Sequence, residues 1–388
     1  MTEPVETLTP MLEATALVEE AGGDTVRACY QCGTCTASCP HGRVSDFRVR
    51  NLLRLVQMGL EGYEGEQLWR CTTCNLCVER CPREVEIVEV ITATRRLMAE
   101  AGSVPGTLAA AMGSIASVGN PWSGEPEQRH AWAKEIPLPA YEPSMDVLLF
   151  ICCTVNYDPR SRQVGEATLR LLKRAGVTFG VMREEQCCGE SARKAGREDL
   201  FQGLCENNTR GIVGSGAKRV VTTSPHCHHT LSKEYPGLAG GPEIVHVVTL
   251  LRQLIDAGRL VPRAPIRKKI TYHDPCYLGR HAGLYDDARA VLAAIPGVEL
   301  VEMRSNRENS MCCGGGGGGM WLDRKPEERL SVARWKQADE VGAQTIATAC
   351  PYCELMLEDG KSAMGRDETH FVVDVIQLLD ESVRGTTE

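Results

Sequence analysis

Cys276, Cys312, Cys313, Cys350 and Cys353 form the pattern C-x35-CC-x36-CxxC near the end of a 388-residue chain. Thiolates are soft, anionic donors that select zinc and iron–sulfur clusters. A structural zinc site takes four ligands, and a cubane [4Fe–4S] cluster takes four thiolates. A fifth thiol in the same set exceeds both and suggests a cluster of more open shape. The bland alternative is five buried cysteines with no metal, since free cysteines are often buried. The fixed order and the adjacent pair argue against it.

Two further runs lie upstream, Cys29-x2-Cys32-x2-Cys35-x3-Cys39-Pro40 and Cys71-x2-Cys74-x2-Cys77-x3-Cys81-Pro82. This is two-cluster ferredoxin spacing, in which the fourth cysteine of each run ligates the other cluster. The expected sets are Cys29, Cys32, Cys35 and Cys81 for one cubane and Cys71, Cys74, Cys77 and Cys39 for the other. Structural zinc uses two C-x2-C pairs across a longer loop and fits less well.

A fourth group is Cys153, Cys187, Cys188 and Cys227. Cys153 precedes Cys276 by 123 positions, the Cys187-Cys188 pair precedes Cys312-Cys313 by 125, and Cys227 precedes Cys350 by 123. Near-constant offsets indicate an internal duplication. In this alignment Thr230 stands where Cys353 would be, so the first copy is a degenerate four-thiol metal site. A cubane, a non-cubane cluster with a substitute ligand, zinc, and no metal at all remain open for it. His226, His228 and His229 are possible nitrogen ligands, though hydrogen-bonded or exposed histidines are the simpler reading. Cys152 is expected not to be a ligand, and Cys205 is expected to be core. Gly314 to Gly319 follow the second Cys-Cys pair directly and are expected to cradle a cluster or substrate, because glycine lets backbone amides approach closely. His273 and Asp274 are candidate proton donors.

The elements that must position these residues follow from the pattern. Residues 1–24 form an acidic N-terminal arm, 25–100 a two-cluster [4Fe–4S] domain and 101–145 a surface linker. Residues 146–262 are the first repeat and 268–384 the second. Leu52, Leu53 and Val56, and later Ile87, Val90, Ile91 and Leu97, recur at helical spacing and should cover the clusters. In each repeat an apolar strand runs into a cysteine-bearing loop, which places thiols at carboxyl strand ends beside helix N-termini. The fold class expected is multidomain α+β and α/β, an α-helical ferredoxin-like domain followed by two duplicated Rossmann-like α/β domains.

Composition narrows the function classes. Nineteen cysteines, an odd number, in a large chain argue for metal ligation over disulfides. A net charge of −8 gives no reason to expect nucleic acid. No apolar run approaches the roughly 18–20 residues needed to span a bilayer, and no basic-then-apolar leader stands at the N-terminus. The expected location is cytoplasmic.

The five-cysteine spacing resembles the CCG motif of heterodisulfide reductase catalytic subunits. Cys29-Tyr30-Gln31-Cys32-Gly33-Thr34-Cys35-Thr36 and Leu68-Trp69-Arg70-Cys71-Thr72-Thr73-Cys74 resemble the C subunit of the same enzymes. The order is that of the D subunit, which fuses C and B functions. The resemblance implies an iron–sulfur oxidoreductase with two cubane clusters, a non-cubane [4Fe–4S] cluster on Cys276, Cys312, Cys313, Cys350 and Cys353 that reduces a disulfide, and a further cluster or zinc in the first repeat. It implies a separate flavoprotein partner resembling the A subunit; the electron order expected is partner to ferredoxin clusters, then the first-repeat site if it is redox-active, then the second-repeat cluster. The alternative is an electron-relay subunit of a larger complex, for example electron-bifurcating or acyl-CoA-linked, with no disulfide substrate. The iron–sulfur subunits of lactate or glycerol-3-phosphate oxidation share the duplicated motif and match the N-terminal text less well.

Overall fold

The computed structural model describes residues 9–385; the first part of the expected N-terminal arm, residues 1–8, lies outside them. The rest of that arm is docked. Helix Leu12–Val18 buries Thr15 and Val18, and Thr15 Oγ1 donates to the Val56 carbonyl at 2.9 Å. The helices expected to cover the ferredoxin runs are Val49–Gln57, which buries Leu52, Leu53 and Val56, and Ile87–Glu100, which buries Ile87, Val90 and Ile91. The first turns one apolar stripe inward, as the 3.6-residue period requires, while the second is buried on nearly all sides from Ile87 to Arg95.

Residues 101–145 are more than a surface linker. Gly106–Val118 is a helix with Leu108, Ala111, Met112 and Ile115 buried. Further on, Arg129 and Trp132 are buried, and Ala140 bridges in parallel to Val181 at a sheet edge. Gly and Ala suggested irregular chain, but Leu108, Met112 and Ile115 recur at helical spacing and supply the buried face.

The two repeats each contain a four-stranded, all-parallel sheet. The first comprises β1 (Val147–Phe150), β2 (Phe179–Val181), β3 (Arg219–Thr222) and β4 (Glu243–His246), ordered β2-β1-β3-β4. The second comprises β5 (Lys268–Tyr272), β6 (Val298–Val301), β7 (Thr345–Thr348) and β8 (Phe371–Asp374), ordered β6-β5-β7-β8. Parallel strands need crossovers that cover both sheet faces, and the central strands β1 and β7 are buried throughout. The repeats pair symmetrically. Helix Arg162–Arg174 packs on helix Val375–Arg384, and helix Val247–Asp256 packs on helix Asp287–Ala294. In both contacts the helix after one repeat's first strand meets the last helix of the other. Arg170 Nε donates to buried Asp380 at 2.9 Å across the first contact.

The strand register corrects one alignment. Leu148 pairs with Val220 in the first sheet and Thr271 with Ile346 in the second. Partners on β1 and β3 are thus 72 positions apart and those on β5 and β7 are 75 apart, so with Cys153 aligned on Cys276 at an offset of 123 the β3-to-β7 offset is 126. Helix caps agree: Ser224 caps a helix with Pro225 in its first turn, and Cys350 caps one with Pro351 in its first turn. Ser224-Pro225-His226-Cys227 thus corresponds to Cys350-Pro351-Tyr352-Cys353. Cys227 is the counterpart of Cys353, not of Cys350, and the thiol missing from the first copy belongs at Ser224, not Thr230. Three extra residues in the second copy, two before the Cys-Cys pair and one after it, hide this register from a constant-offset reading.

Among the described residues, no helix is long and apolar enough to cross a membrane.

Candidate metal centres

Both ferredoxin runs bend inward by the same device. The second residue after the first cysteine and the fourth residue after it take left-handed backbone, Gln31 (φ 62°) and Gly33 (φ 87°) in one, Thr73 (φ 50°) and Asn75 (φ 68°) in the other. Non-glycine residues there cost of order 1 kcal/mol or more and persist only where the surroundings hold them. The bends turn amides toward sulfur: the Thr73 N–H donates to Cys71 Sγ at 3.4 Å, and the Val85 N–H donates to Cys81 Sγ at 3.4 Å. Cys29, Cys32, Cys35 and Cys81 line one cavity. Cys39 sits instead with Cys71, Cys74 and Cys77; burial and these neighbours push the Cys77 thiol well above its ordinary pKa. The structure therefore brings the eight cysteines together in the two interleaved sets. The first lies near the surface, with Cys32 exposed and Tyr30 60% exposed. In the second, Cys71, Cys74 and Cys77 are buried.

The five cysteines of the second repeat converge from three places. Cys276 follows β5, Cys312 and Cys313 come from the loop after β6, and Cys350 and Cys353 begin helix Pro351–Ala363. All are buried. Cys313 Sγ and Cys353 Sγ are 3.3 Å apart. Cys312 adjoins Cys276 and Cys313, and it also meets Cys74 of the buried ferredoxin set. Arg280 seals that seam, donating to the Cys74 carbonyl at 2.6 Å and to the Ser310 carbonyl at 2.8 Å. Its charge lies beside Cys74, Cys276 and Cys312. Arg95, fully buried, ties the same seam. It donates to the carbonyls of Leu68 and Cys71 on the ferredoxin side, at 2.9 and 2.8 Å, and to those of Gly317 and Lys194 on the repeats, both at 2.9 Å.

The six glycines are buried, and their chief role is close approach. A Cβ on Gly316 would lie 2.5 Å from the Thr72 carbonyl oxygen, and one on Gly317 would lie 2.6 Å from that of Cys71. The loop slides beneath the second ferredoxin run where no side chain fits. The Gly314 N–H also donates to Cys312 Sγ at 3.3 Å, which is the sulfur-directed amide a cradle requires. Gly316→Ala should destabilise the protein by about 1–3 kcal/mol, the usual cost of overpacking. Gly113→Ala, in a helix with open space around the new methyl, should stabilise it by about 0.5–1 kcal/mol. Anaerobic thermal melts of the two variants check the contrast.

The candidate proton donors have other roles. Asp274 accepts from Arg289 at 2.6 and 2.9 Å and from the Arg307 N–H at 2.9 Å, so it braces the cysteine loop. His273 accepts from Arg334 Nε at 3.1 Å through Nδ1. Burial and the Arg334 charge hold His273 well below its ordinary pKa, as neutral imidazole. A ring nitrogen, Cys313 Sγ and Cys353 Sγ lie within 4.8 Å of one another.

In the first repeat Cys153, Cys187, Cys188 and Cys227 are buried together at the sheet's carboxyl end. Cys153 adjoins Cys187, and Cys188 adjoins both Cys187 and Cys227. The Gly189 N–H donates to Cys187 Sγ at 3.4 Å. Arg129 Nη2 lies 3.5 Å from Cys153 Sγ and 2.7 Å from Glu185. Cys152, expected not to be a ligand, lies in the group with its thiol against Cys227. Cys205 lies in helix Glu198–Gly214 outside it. The histidines turn away. His226 stacks between Tyr277 and Tyr352, at 4.0 and 4.5 Å between ring centres, and its Nδ1 is 3.2 Å from Glu190. It reaches Cys350 of the other repeat; burial opposes its charge, but Glu190 and Cys350 outweigh burial and raise its pKa well above the ordinary value. His229 lies 3.7 Å from Glu234, and His228 faces His246.

These donor sets fit iron–sulfur clusters. All nineteen cysteines are free thiols. Amides point at their sulfurs, and the buried cations Arg129 and Arg280 stand where anionic sites would be. Sequence reasoning missed both arginines, Arg95, the Glu190–His226 pair and Cys152. Only Cys152 carried a signal, its adjacency to Cys153.

Fold and thiol sets define a class: an iron–sulfur protein with a ferredoxin-like domain and duplicated cysteine-rich α/β domains. Comparisons agree. A cysteine-rich domain family matches residues 147–232 and 270–358, and a 4Fe-4S dicluster domain family matches residues 25–85. The chain is 31% identical over 391 residues to the D subunit of the dihydromethanophenazine:CoB–CoM heterodisulfide reductase of Methanosarcina mazei, covering 92% of this chain and 93% of that one. It therefore belongs to the iron–sulfur oxidoreductase family of the heterodisulfide reductase D subunits. It is also 38% identical to the probable iron-sulfur-binding oxidoreductase FadF of Bacillus subtilis (82% of this chain, 47% of the relative). Against the EtfAB:quinone oxidoreductase of Syntrophomonas wolfei it is 36% identical (81% and 46%). The chain thus spans about half the length of these last two relatives. A solved structure, a hypothetical protein from Helicobacter pylori, shares the fold at a TM-score of 0.51 and 9% identity, over 79% of this chain and 59% of that one.

Proposed function

We propose that this protein reduces a disulfide at the five-cysteine site of the second repeat, using electrons received at the ferredoxin-like domain. The observation that supports this most is the meeting of Cys74 with Cys312, which joins the buried ferredoxin set to the complete five-cysteine set through sulfur. When bound, the cubane clusters supply one-electron transfer, and an open five-thiolate cluster supplies an iron site for disulfide chemistry. Cys29, Cys32, Cys35 and Cys81 would hold one cubane, and Cys39, Cys71, Cys74 and Cys77 the other. Cys276, Cys312, Cys313, Cys350 and Cys353 would hold the non-cubane cluster.

The chain's own residues set direction and access. The exposed Cys32 and Tyr30 mark the set near the surface as the entry from a flavoprotein partner. The Cys74–Cys312 contact supports a route from the ferredoxin sets directly to the second repeat, without the first-repeat step. The 430 Å³ cavity lined by Gly314, Met320, Trp321, Arg324 and Met356 leads toward Cys313 and Cys353, and it is wide enough for a small disulfide. Glu190 and His226 keep a hydrogen-bond donor at Cys350 and favour its thiolate.

Anaerobic protein treated with an oxidant and then a candidate thiol should show a thiol-dependent paramagnetic signal at low temperature, absent in Cys312→Ser. Reduced-cubane signals that no thiol alters would favour a second reading, an electron relay between partner subunits. The similarity to a quinone oxidoreductase about twice this chain's length supports that reading.

A further inference from the structure

We propose that Cys152 is a ligand of the first-repeat site and stands in for the thiol absent at Ser224, so that both repeats present five thiols to an iron–sulfur cluster of the same open type. The inference rests on reading the first repeat as an iron–sulfur site.

The register makes the exchange explicit. Cys152 corresponds to Pro275 of the second repeat, and Ser224 corresponds to Cys350. Each copy lacks a thiol where the other has one, and each totals five. The vacancy and its replacement lie side by side, because the ends of β1 and β3 are neighbours: Phe150 pairs with Thr222, and the Cys152 N–H donates to Thr223 Oγ1 at 3.0 Å. Thiol neighbours correspond too. In the second repeat Cys350 adjoins Cys353 and lies near Cys313. In the first, Cys152 adjoins Cys227, the counterpart of Cys353, and lies near Cys188, the counterpart of Cys313. Cys152 therefore occupies the corner that Cys350 fills in the complete copy.

Ser224 does not compete for that corner. It is fully buried, and its Oγ accepts the His226 N–H at 3.3 Å as a helix cap. Cys350 makes no such side-chain cap. Cys152 is 4% exposed. A buried thiol with no ligand role would be a small apolar filler, with no reason to face the thiols of Cys227, Cys153 and Cys188.

The test uses the full chain, purified anaerobically with isotopically enriched iron, and reads iron content and the Mössbauer spectrum. Cys152→Ser should change the spectrum and release up to one cluster's iron, about four atoms. Adding Ser224→Cys, which rebuilds the C-P-x-C of the second repeat, should restore both. Cys205→Ser, a buried thiol outside the group, should change neither. Wild-type iron and spectrum in Cys152→Ser, with iron lost in Cys227→Ser, would overturn the role of Cys152 alone. Unchanged iron in Cys227→Ser would overturn the first repeat as an iron site, and the inference with it. A loss in Cys152→Ser that Ser224→Cys does not repair and that Cys205→Ser shares would also overturn it, as a packing effect.

Discussion

Cys312→Ser should abolish disulfide reduction while leaving both ferredoxin-type signals in place. Cys312 adjoins Cys276 and Cys313 within its own set, receives the Gly314 N–H, and meets Cys74 across the domain seam. Serine keeps the volume but loses the soft thiolate, so the substitution removes a ligand and the sulfur contact together. Losing even an outer-shell partner of a metal site typically costs 10–100-fold. Turnover with a reduced dye as electron donor and a small disulfide as acceptor should therefore fall by at least about 100-fold. Cys205→Ser should keep wild-type turnover, since that thiol lies outside every group.

Arg95→Met should produce the largest loss of stability from one substitution. The guanidinium is fully buried, stacks 5.0 Å from the Trp69 ring, and satisfies four carbonyls drawn from three segments. Methionine fills the space but donates nothing. Each orphaned buried acceptor costs about 1–3 kcal/mol, so the sum is at least about 4 kcal/mol, a large share of the 5–15 kcal/mol typical of folded proteins. The melting temperature should drop by roughly 5 °C or more, and iron should leave the buried ferredoxin set faster than the exposed one. A melt within about 2 °C of wild type would show that the seam does not depend on Arg95.

Much of this was legible before any coordinates. Cysteine spacing is set by ligand geometry, so the two ferredoxin runs and the C-x35-CC-x36-CxxC motif announced their groups directly. The apolar stretches at β1 and β7 announced parallel strands. What remained hidden was long-range or depended on register. Nothing local marks Arg95 or Arg280 as seam residues, because their partners lie more than 200 positions away at Gly317 and Cys74. The helix at 106–118 was masked by its Gly and Ala content, which reads as loop although Leu108, Met112 and Ile115 recur at helical spacing. Constant offsets paired Cys227 with Cys350; only the β3 and β7 registers and the two proline-initiated helices pair it with Cys353. The six glycines suggested a cradle, and their second role, passing beneath Cys71 and Thr72, required both segments in place.

The central claim is that electrons pass from the buried ferredoxin set to the five-cysteine set at the Cys74–Cys312 contact. Low-temperature EPR of the thiol-treated protein, partially reduced to leave both centres paramagnetic, tests it most directly. Centres whose ligand sulfurs touch should interact magnetically. The account predicts split or relaxation-broadened signals that give way, in Cys312→Ser, to the spectrum of the two ferredoxin-type centres alone. Two independent, unsplit signals in the wild-type protein would contradict it.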